Sequence, residues 1–226
     1  MTDRHPLLRD RLIEATLAHV PFDGWSMQAL RDGARDSGFG PEIVTQEFPR
    51  GVADAIRHFS RMADRHMLAG MEQADLGDLR IHERVALAVE TRLAFLGPHR
   101  EAVHRGLTWL ALPQNAMLGA RLLYRTVDDI WYAVGDRSAD FSFYTKRGLL
   151  AGVVGSTTLF WLDDRSEVGA ETTAFLHRRL ADVMKIHGAR KRIEGSRDRV
   201  LGPLGILKDV VEKRYGRPDT GDSRVT

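Results

Sequence analysis

The chain has 226 residues, Lys+Arg 33 against Asp+Glu 31, and no cysteine. A chain of this length buries roughly 70% of its unfolded surface without covalent staples, and the missing cysteines exclude disulfides, thiolate metal sites and a cysteine nucleophile, which fits a reducing compartment. A formal net charge of +2 makes the sequence pI of about 9.1 a poor nucleic-acid signature, and no apolar run is long enough to span a bilayer.

The opening residues lack the continuous apolar segment of a signal peptide and carry too many acids for a transit peptide. The mature protein is therefore expected to start where the sequence does, in a cytoplasm. Leu8, Leu12, Ala15 and Ala18 follow helical spacing, closed by Pro21 and Gly24. Ser26 is a cap for a second helix over 27–36, and Pro41 opens a third over 41–47. Residues 1–50 thus make a helix-turn-helix-like head, and such a head before long helices is the layout of TetR-type regulators.

DNA affinity comes from Lys and Arg on phosphates. Across residues 1–60 there are 7 Arg and no Lys against 9 Asp and Glu. The third helix offers Thr45 and Gln46 to base edges, but its charges are Glu42 and Glu47, which a phosphate-lined groove repels. The head reads as a fold inherited from DNA readers that no longer binds nucleic acid. The alternative is a TetR-family transcriptional regulator with a small-molecule pocket.

Residues 51–187 form the body, with helices expected over 51–74, 79–97, 99–111, 114–134, 140–162 and 167–187. The breaks carry turn chemistry at Gly77-Asp78, Gly97-Pro98, Pro113, Gly135-Asp136 and Asp163-Asp164. Val153 to Trp161 is β-branched and aromatic, yet its flanks are helical, so the fold class is all-α. Gly148, Gly152 and Gly155 make a small-residue ridge, suited to close helix packing, across a dimer included, or to leaving room for a ligand.

Catalytic signatures fail one by one. Gly38-Phe-Gly40 starts a dinucleotide fingerprint with no strand before it, and His82-Glu83 lacks a second histidine at position 86. Glu101 and His104 have the spacing used in di-iron bundles, which need two such motifs. The pairs Asp128-Asp129 and Asp163-Asp164 point about 100° apart on a helix and cannot share a substrate as an acid/base dyad. The expectation is a protein that is not an enzyme, with no cofactor and no metal.

The most distinctive run is Thr126 to Arg147, read as two helices meeting at a Gly135-Asp136 corner, with Ser138 or Asp140 capping the second. Crowded aromatics and charges there suit either a capped turn over the core or a protein contact patch. Its pattern, Val-Asp-Asp-x-Trp-x-x-x-Gly-Asp-x-Ser-x-Asp-Phe-x-x-Tyr-Thr-x-Arg, resembles the signature of the ninth accessory protein family of coenzyme Q biosynthesis. Val89-Glu90-Thr91-Arg92-Leu93, Leu112-Pro113-x-Asn115 and Gly24-Trp25 extend the resemblance from about Arg9 to the C-terminal helix. Two positions depart from it: Phe143 stands where relatives have Trp, and Gln114 where they have His.

The resemblance implies a TetR-like homodimer that has given up DNA and binds isoprenoid quinone intermediates between its long helices. It implies support for the di-iron hydroxylase acting on demethoxyubiquinone, by delivery of the lipid substrate. The motif becomes the docking surface for that hydroxylase, with Asp128, Asp129, Trp131, Asp140, Phe143, Tyr144 and Arg147 as contacts. A polyisoprenoid tail needs a long apolar cavity. The middle helices offer Leu93, Leu96, Leu107, Trp109 and Leu110, then Met117, Leu118, Leu122, Leu149 and Val153, although such residues at helical spacing also serve as ordinary core.

Residues 188–199 are a polar, basic linker and 216–226 a tail of disordered composition. Between them, over 200–215, Val200, Leu204, Leu207, Val211 and Tyr215 form a narrow apolar stripe. Residues 185–217 carry 10 Lys and Arg against 4 Asp and Glu. A basic amphipathic helix on a linker has the profile of a membrane-surface element, the alternative being a helix folded back on the body. The resemblance implies the same membrane contact, and the missing leader points to a bacterial member peripheral on the inner membrane.

Overall fold

The computed structural model describes residues 4–135 and 142–185, and among these every regular element is helical. Ten α-helices follow in order: α1 (Arg4–Leu17), α2 (Val20–Asp23), α3 (Met27–Asp36), α4 (Glu42–Glu47), α5 (Val52–Gln73), α6 (Ile81–Leu96), α7 (Arg100–Leu110), α8 (Ala116–Ala133), α9 (Ser142–Asp163) and α10 over 170–185. Val153 to Trp161 lies inside α9, so its β-branched content gives way to the helical context. The chain divides into two compact units after Leu180, and of the second only residues 181–185 are described. The basic linker, the stripe Val200, Leu204, Leu207, Val211 and Tyr215, and the tail lie outside the described residues.

The head forms where caps and periodicity agree. Ser26 Oγ accepts the Ala29 backbone N–H at 3.1 Å, and Leu30 and Ala34 of α3, like Leu12 and Ile13 of α1, are fully buried where the two helices pack. The two helices cross so closely that a Cβ on Gly33 would lie 2.6 Å from the Thr16 backbone nitrogen. Pro21 does not end α1; the helix stops at Leu17, and Pro21 instead sits in the first turn of α2, where its missing N–H costs nothing.

One charge in α4 is not where the sequence argument placed it. Glu47 is buried and accepts a hydrogen bond from Arg9 Nε at 2.9 Å, so only Glu42 of the two acids faces solvent beside Thr45 and Gln46. The periodicity of so short a helix leaves its buried face ambiguous, and Val44 and Phe48 decide it by filling the core on Glu47's side.

In the first unit α5 packs along α6 and against α8, α8 pairs with α9, and α7 lies against α2 and α8. Asp164 fastens the end of α9 to α10. Its carboxylate accepts Ser166 N–H at 2.8 Å, Ser166 Oγ at 2.6 Å, Thr172 N–H at 2.8 Å and Thr172 Oγ1 at 2.5 Å. Those four donors hold the Asp164 carboxyl far below the usual carboxylate range. Its carbonyl oxygen accepts from Arg100, whose guanidinium lies over the Trp161 ring at 4.7 Å. Asp163 beside it is exposed, as expected for neighbours on a helix.

Candidate functional site

Small residues on facing helices prevent the body from closing completely. Ala102 and Gly106 on α7, Ala116, Gly119 and Ala120 on α8, and Gly155 on α9 leave a cavity of about 410 Å³. That volume lies within the range of small-molecule pockets, about 300–1,000 Å³. Its apolar wall comes from Ile56 and Phe59 of α5, Leu96 of α6, Val103, Leu107 and Leu110 of α7, Leu122 and Leu123 of α8, and Val154 and Leu159 of α9. Trp25 seals the head end: its indole N–H donates to the Ala102 carbonyl at 2.9 Å and its ring packs on Phe59 at 5.7 Å.

The cavity is graded along its length. Leu122 and Thr126 are buried, whereas Ala116, Ala120 and Leu159 are exposed, so it opens at the N-terminal end of α8. Ten residues of α8 between those ends correspond to about 15 Å. At the closed end stand the polar residues Ser60, Arg92 and Thr126. Arg92 Nε and Thr126 Oγ1 both donate to Asp64 Oδ1 at 2.9 Å, and Arg92 Nη2 donates to Ser60 Oγ at 3.3 Å. Asp64 is buried and Arg92 half-buried, their side chains 5% and 12% exposed.

Of the ten residues expected to hold a lipid, Leu96, Leu107, Leu110 and Leu122 border this cavity. Leu93 and Val153 are buried but do not border it, Met117 faces outward, and Trp109, Leu118 and Leu149 are half-buried elsewhere. The reason is rotation about each helix axis: Arg92 and Val154, one residue away from Leu93 and Val153, take the cavity-facing positions. Gly155 also faces the space, its nearest neighbour for an added Cβ being Leu123 Cδ2 at 3.7 Å, whereas Gly148 and Gly152 meet nothing within 4 Å. Of the ridge expected either to pack closely or to leave room for a ligand, Gly155 borders the cavity, while Ile56, Phe59 and the small residues of α7 and α8 were not singled out by sequence and Trp25 only as part of the resemblance; glycine and alanine at matching depths on three helices were the available signal.

The central motif straddles α8 and α9. Arg147 Nη2 bonds Asp128 Oδ1 at 2.7 Å and Arg147 Nε bonds it at 2.9 Å, tying the two helices together. Asp129 lies 3.9 Å from Arg125, and its carboxyl is pushed up by burial and by the Asp64 charge. Trp131 is half-buried, while Tyr132 next to it, not singled out by sequence, is 83% exposed. Phe143 and Tyr144 fall in the first turn of α9; their side chains, and Asp140, lie outside the described residues.

The helix order and body define an all-α protein of the TetR fold. A TetR transcriptional regulator from Nitrosomonas europaea superposes with TM-score 0.64 at 21% identity, covering 77% of this chain and 97% of that one. A TetR-family regulator from Streptomyces coelicolor superposes with TM-score 0.52 at 19% identity, covering 92% and 97%. Within that fold the chain belongs to the COQ9 family. The family profile matches residues 116–187. The "Ubiquinone biosynthesis protein COQ9, mitochondrial" of Drosophila melanogaster is 32% identical over 83% of this chain and 59% of its own length. The Rattus norvegicus relative of that name is 31% identical over 87% and 65%, and the Xenopus laevis COQ9-B protein 30% over 87% and 69%. The chain therefore spans about three-fifths to two-thirds of these relatives. No described helix is long and apolar enough to cross a membrane.

Proposed function

We propose that this protein is a non-catalytic, lipid-binding accessory of ubiquinone biosynthesis that takes up isoprenoid quinone intermediates and presents them to the demethoxyubiquinone hydroxylase. One observation carries the reading: a chain of the COQ9 family encloses an apolar, one-ended cavity of about 410 Å³ within its long helices. Covering apolar tail surface there is favourable by roughly 25 cal/mol per Å². The α8–α9 surface around Asp128, Trp131, Tyr132 and Arg147 is the docking face for the hydroxylase, with Asp129, Asp140, Phe143 and Tyr144 completing it. Segment 200–215 contacts the bacterial inner membrane, the protein acts as a homodimer, and the acidic head leaves DNA unbound.

Native mass spectrometry of the purified chain, with quinone intermediates offered, tests this. A bound isoprenoid is the expected result. A protein that carries no lipid under these conditions refutes the reading. A shifted operator fragment at near-physiological salt would favour the regulator instead.

A further inference from the structure

Away from the cavity, one cluster of ionisable side chains in the head has the composition of a metal site. A ring nitrogen of His19 and one carboxylate oxygen each from Asp23 and Asp32 lie within 4.8 Å of one another. His19 immediately precedes α2 and Asp23 ends it, a spacing of four residues that puts them on one side, while Asp32 stands on α3. The set joins two elements, on either side of Trp25 in the chain, so spacing within a single helix does not display it.

The histidine is held as metal-bound histidines are held. Asp36, one turn beyond Asp32 on α3, accepts from His19 Nε2 at 2.6 Å. A carboxylate has no proton to give, so Nε2 carries the ring hydrogen and the other nitrogen keeps the lone pair. Such an outer carboxylate fixes the ring and raises its basicity as a ligand. Asp23 has no side-chain partner among the described residues. Asp32 Oδ1 takes the Arg35 guanidinium and the Gln28 amide, whereas Oδ2 takes only that amide, at 3.0 Å, and has room for a second partner.

Charge and donor type decide what the cluster suits. Three carboxylates, Asp23, Asp32 and Asp36, stand against one guanidinium, that of Arg35. Arg105, which donates to the Pro21 carbonyl, is neutralised by Glu101 at 2.7 Å. Arg31 is exposed and lies about 100° around α3 from Asp32. With a neutral imidazole the excess is two negative charges, which a divalent cation balances. Imidazole with carboxylates suits zinc-like ions, whereas Mg²⁺ and Ca²⁺ take oxygen ligands. Ligands about 2.1 Å from a tetrahedral Zn²⁺ stand about 3.4 Å apart, a spacing that rotation of the exposed Asp23 side chain reaches from 4.8 Å.

We propose that His19, Asp23 and Asp32 form a binding site for a divalent transition cation of the zinc class, with Asp36 as the positioning residue behind His19 and solvent completing the coordination. The ion fastens α2 to α3 about Trp25. The site is separate from the cavity and does not depend on what fills it.

The test titrates Zn²⁺ into the full chain, stripped of metal beforehand, and follows calorimetry and competition with a chromophoric chelator. One Zn²⁺ per chain is expected, bound less tightly as pH falls through the ordinary histidine range near about 6.5 and not displaced by excess Mg²⁺. His19→Ala and Asp23→Ala are each expected to abolish the one-to-one step; because Asp23 bonds nothing else, its variant carries the test should His19→Ala lose its helical circular dichroism. Asp36→Asn is expected to weaken Zn²⁺ about tenfold or more. His177→Ala, which removes an exposed histidine of α10, is expected to change nothing. Absence of saturable binding, binding unchanged in folded Asp23→Ala, or its loss in His177→Ala overturns the site. Several weak ions per chain would mark an adventitious ion only and overturn it equally.

Discussion

Substitution of Gly155 by Leu separates stability from ligand binding. Gly155 lies inside α9, where glycine costs about 1 kcal/mol relative to a good helix former. Its added Cβ makes an ordinary contact with Leu123 at 3.7 Å, and the remaining leucine atoms enter the cavity. The helix therefore gains about 0.8 kcal/mol, and partial burial of the new side chain raises the total to about 1–2 kcal/mol. In a chain of this size that is about 2–8 °C in Tm. A ligand forced past the isobutyl group meets an overpacking cost of about 1–3 kcal/mol, about five- to 150-fold in Kd. Scanning calorimetry and titration with a quinone amphiphile read the two effects independently. A variant that is more stable yet binds with unchanged affinity refutes the cavity as the lipid site, and a destabilised one refutes the packing around Gly155.

Three further substitutions and conditions test the packing and charges of the head and body. Gly33→Ala places a methyl against the Thr16 backbone and is expected to cost about 1–3 kcal/mol or more despite alanine's better propensity, visible as a lower urea midpoint. Arg92→Leu strands a buried Asp64 and is expected to cost about 3–5 kcal/mol, whereas Asp64→Leu combined with Arg92→Leu recovers most of it; equal losses in the single and double variants would show that the pair's charge is not what matters. Burial holds His58 and His99 below their ordinary 6.5, so the unfolded chain protonates first and stability, complete above about 6.5, falls as pH drops toward the folded values. Asp129, raised above 3.8, gives the opposite slope lower down, toward 3.8. Tm measured from pH 7.5 to 5.5 is expected to decline, less so in His58→Gln, and a flat profile in the unaltered chain refutes the assignment.

Much of the fold was legible in the sequence because its signals are local. Ser26 caps α3 through an atom three residues away, and the span expected for that helix, 27–36, is the one observed. The long helices fall within one or two residues of their expected spans, apart from α10, which starts at 170 because a separate 3₁₀ turn over Glu167–Gly169 precedes it. Glu47 was misjudged because a six-residue helix leaves its buried face ambiguous and because its hydrogen-bond donor Arg9 lies 38 residues away, which no local pattern displays.

The sequence by itself determined the helices, their caps and breaks, and a central motif specific enough to indicate the family. It set these because capping and amphipathic spacing act within a turn or two of backbone. Which apolar residues border a cavity was decided only by tertiary structure, since a rotation of one residue on α6 or α9 exchanges Leu93 for Arg92 and Val153 for Val154. The near-neutral charge that opens the sequence is met again in miniature at the end of that cavity. Arg92 of α6 and Asp64 of α5 cancel there across 28 residues of chain, because a charge taken out of water is tolerated only beside its opposite.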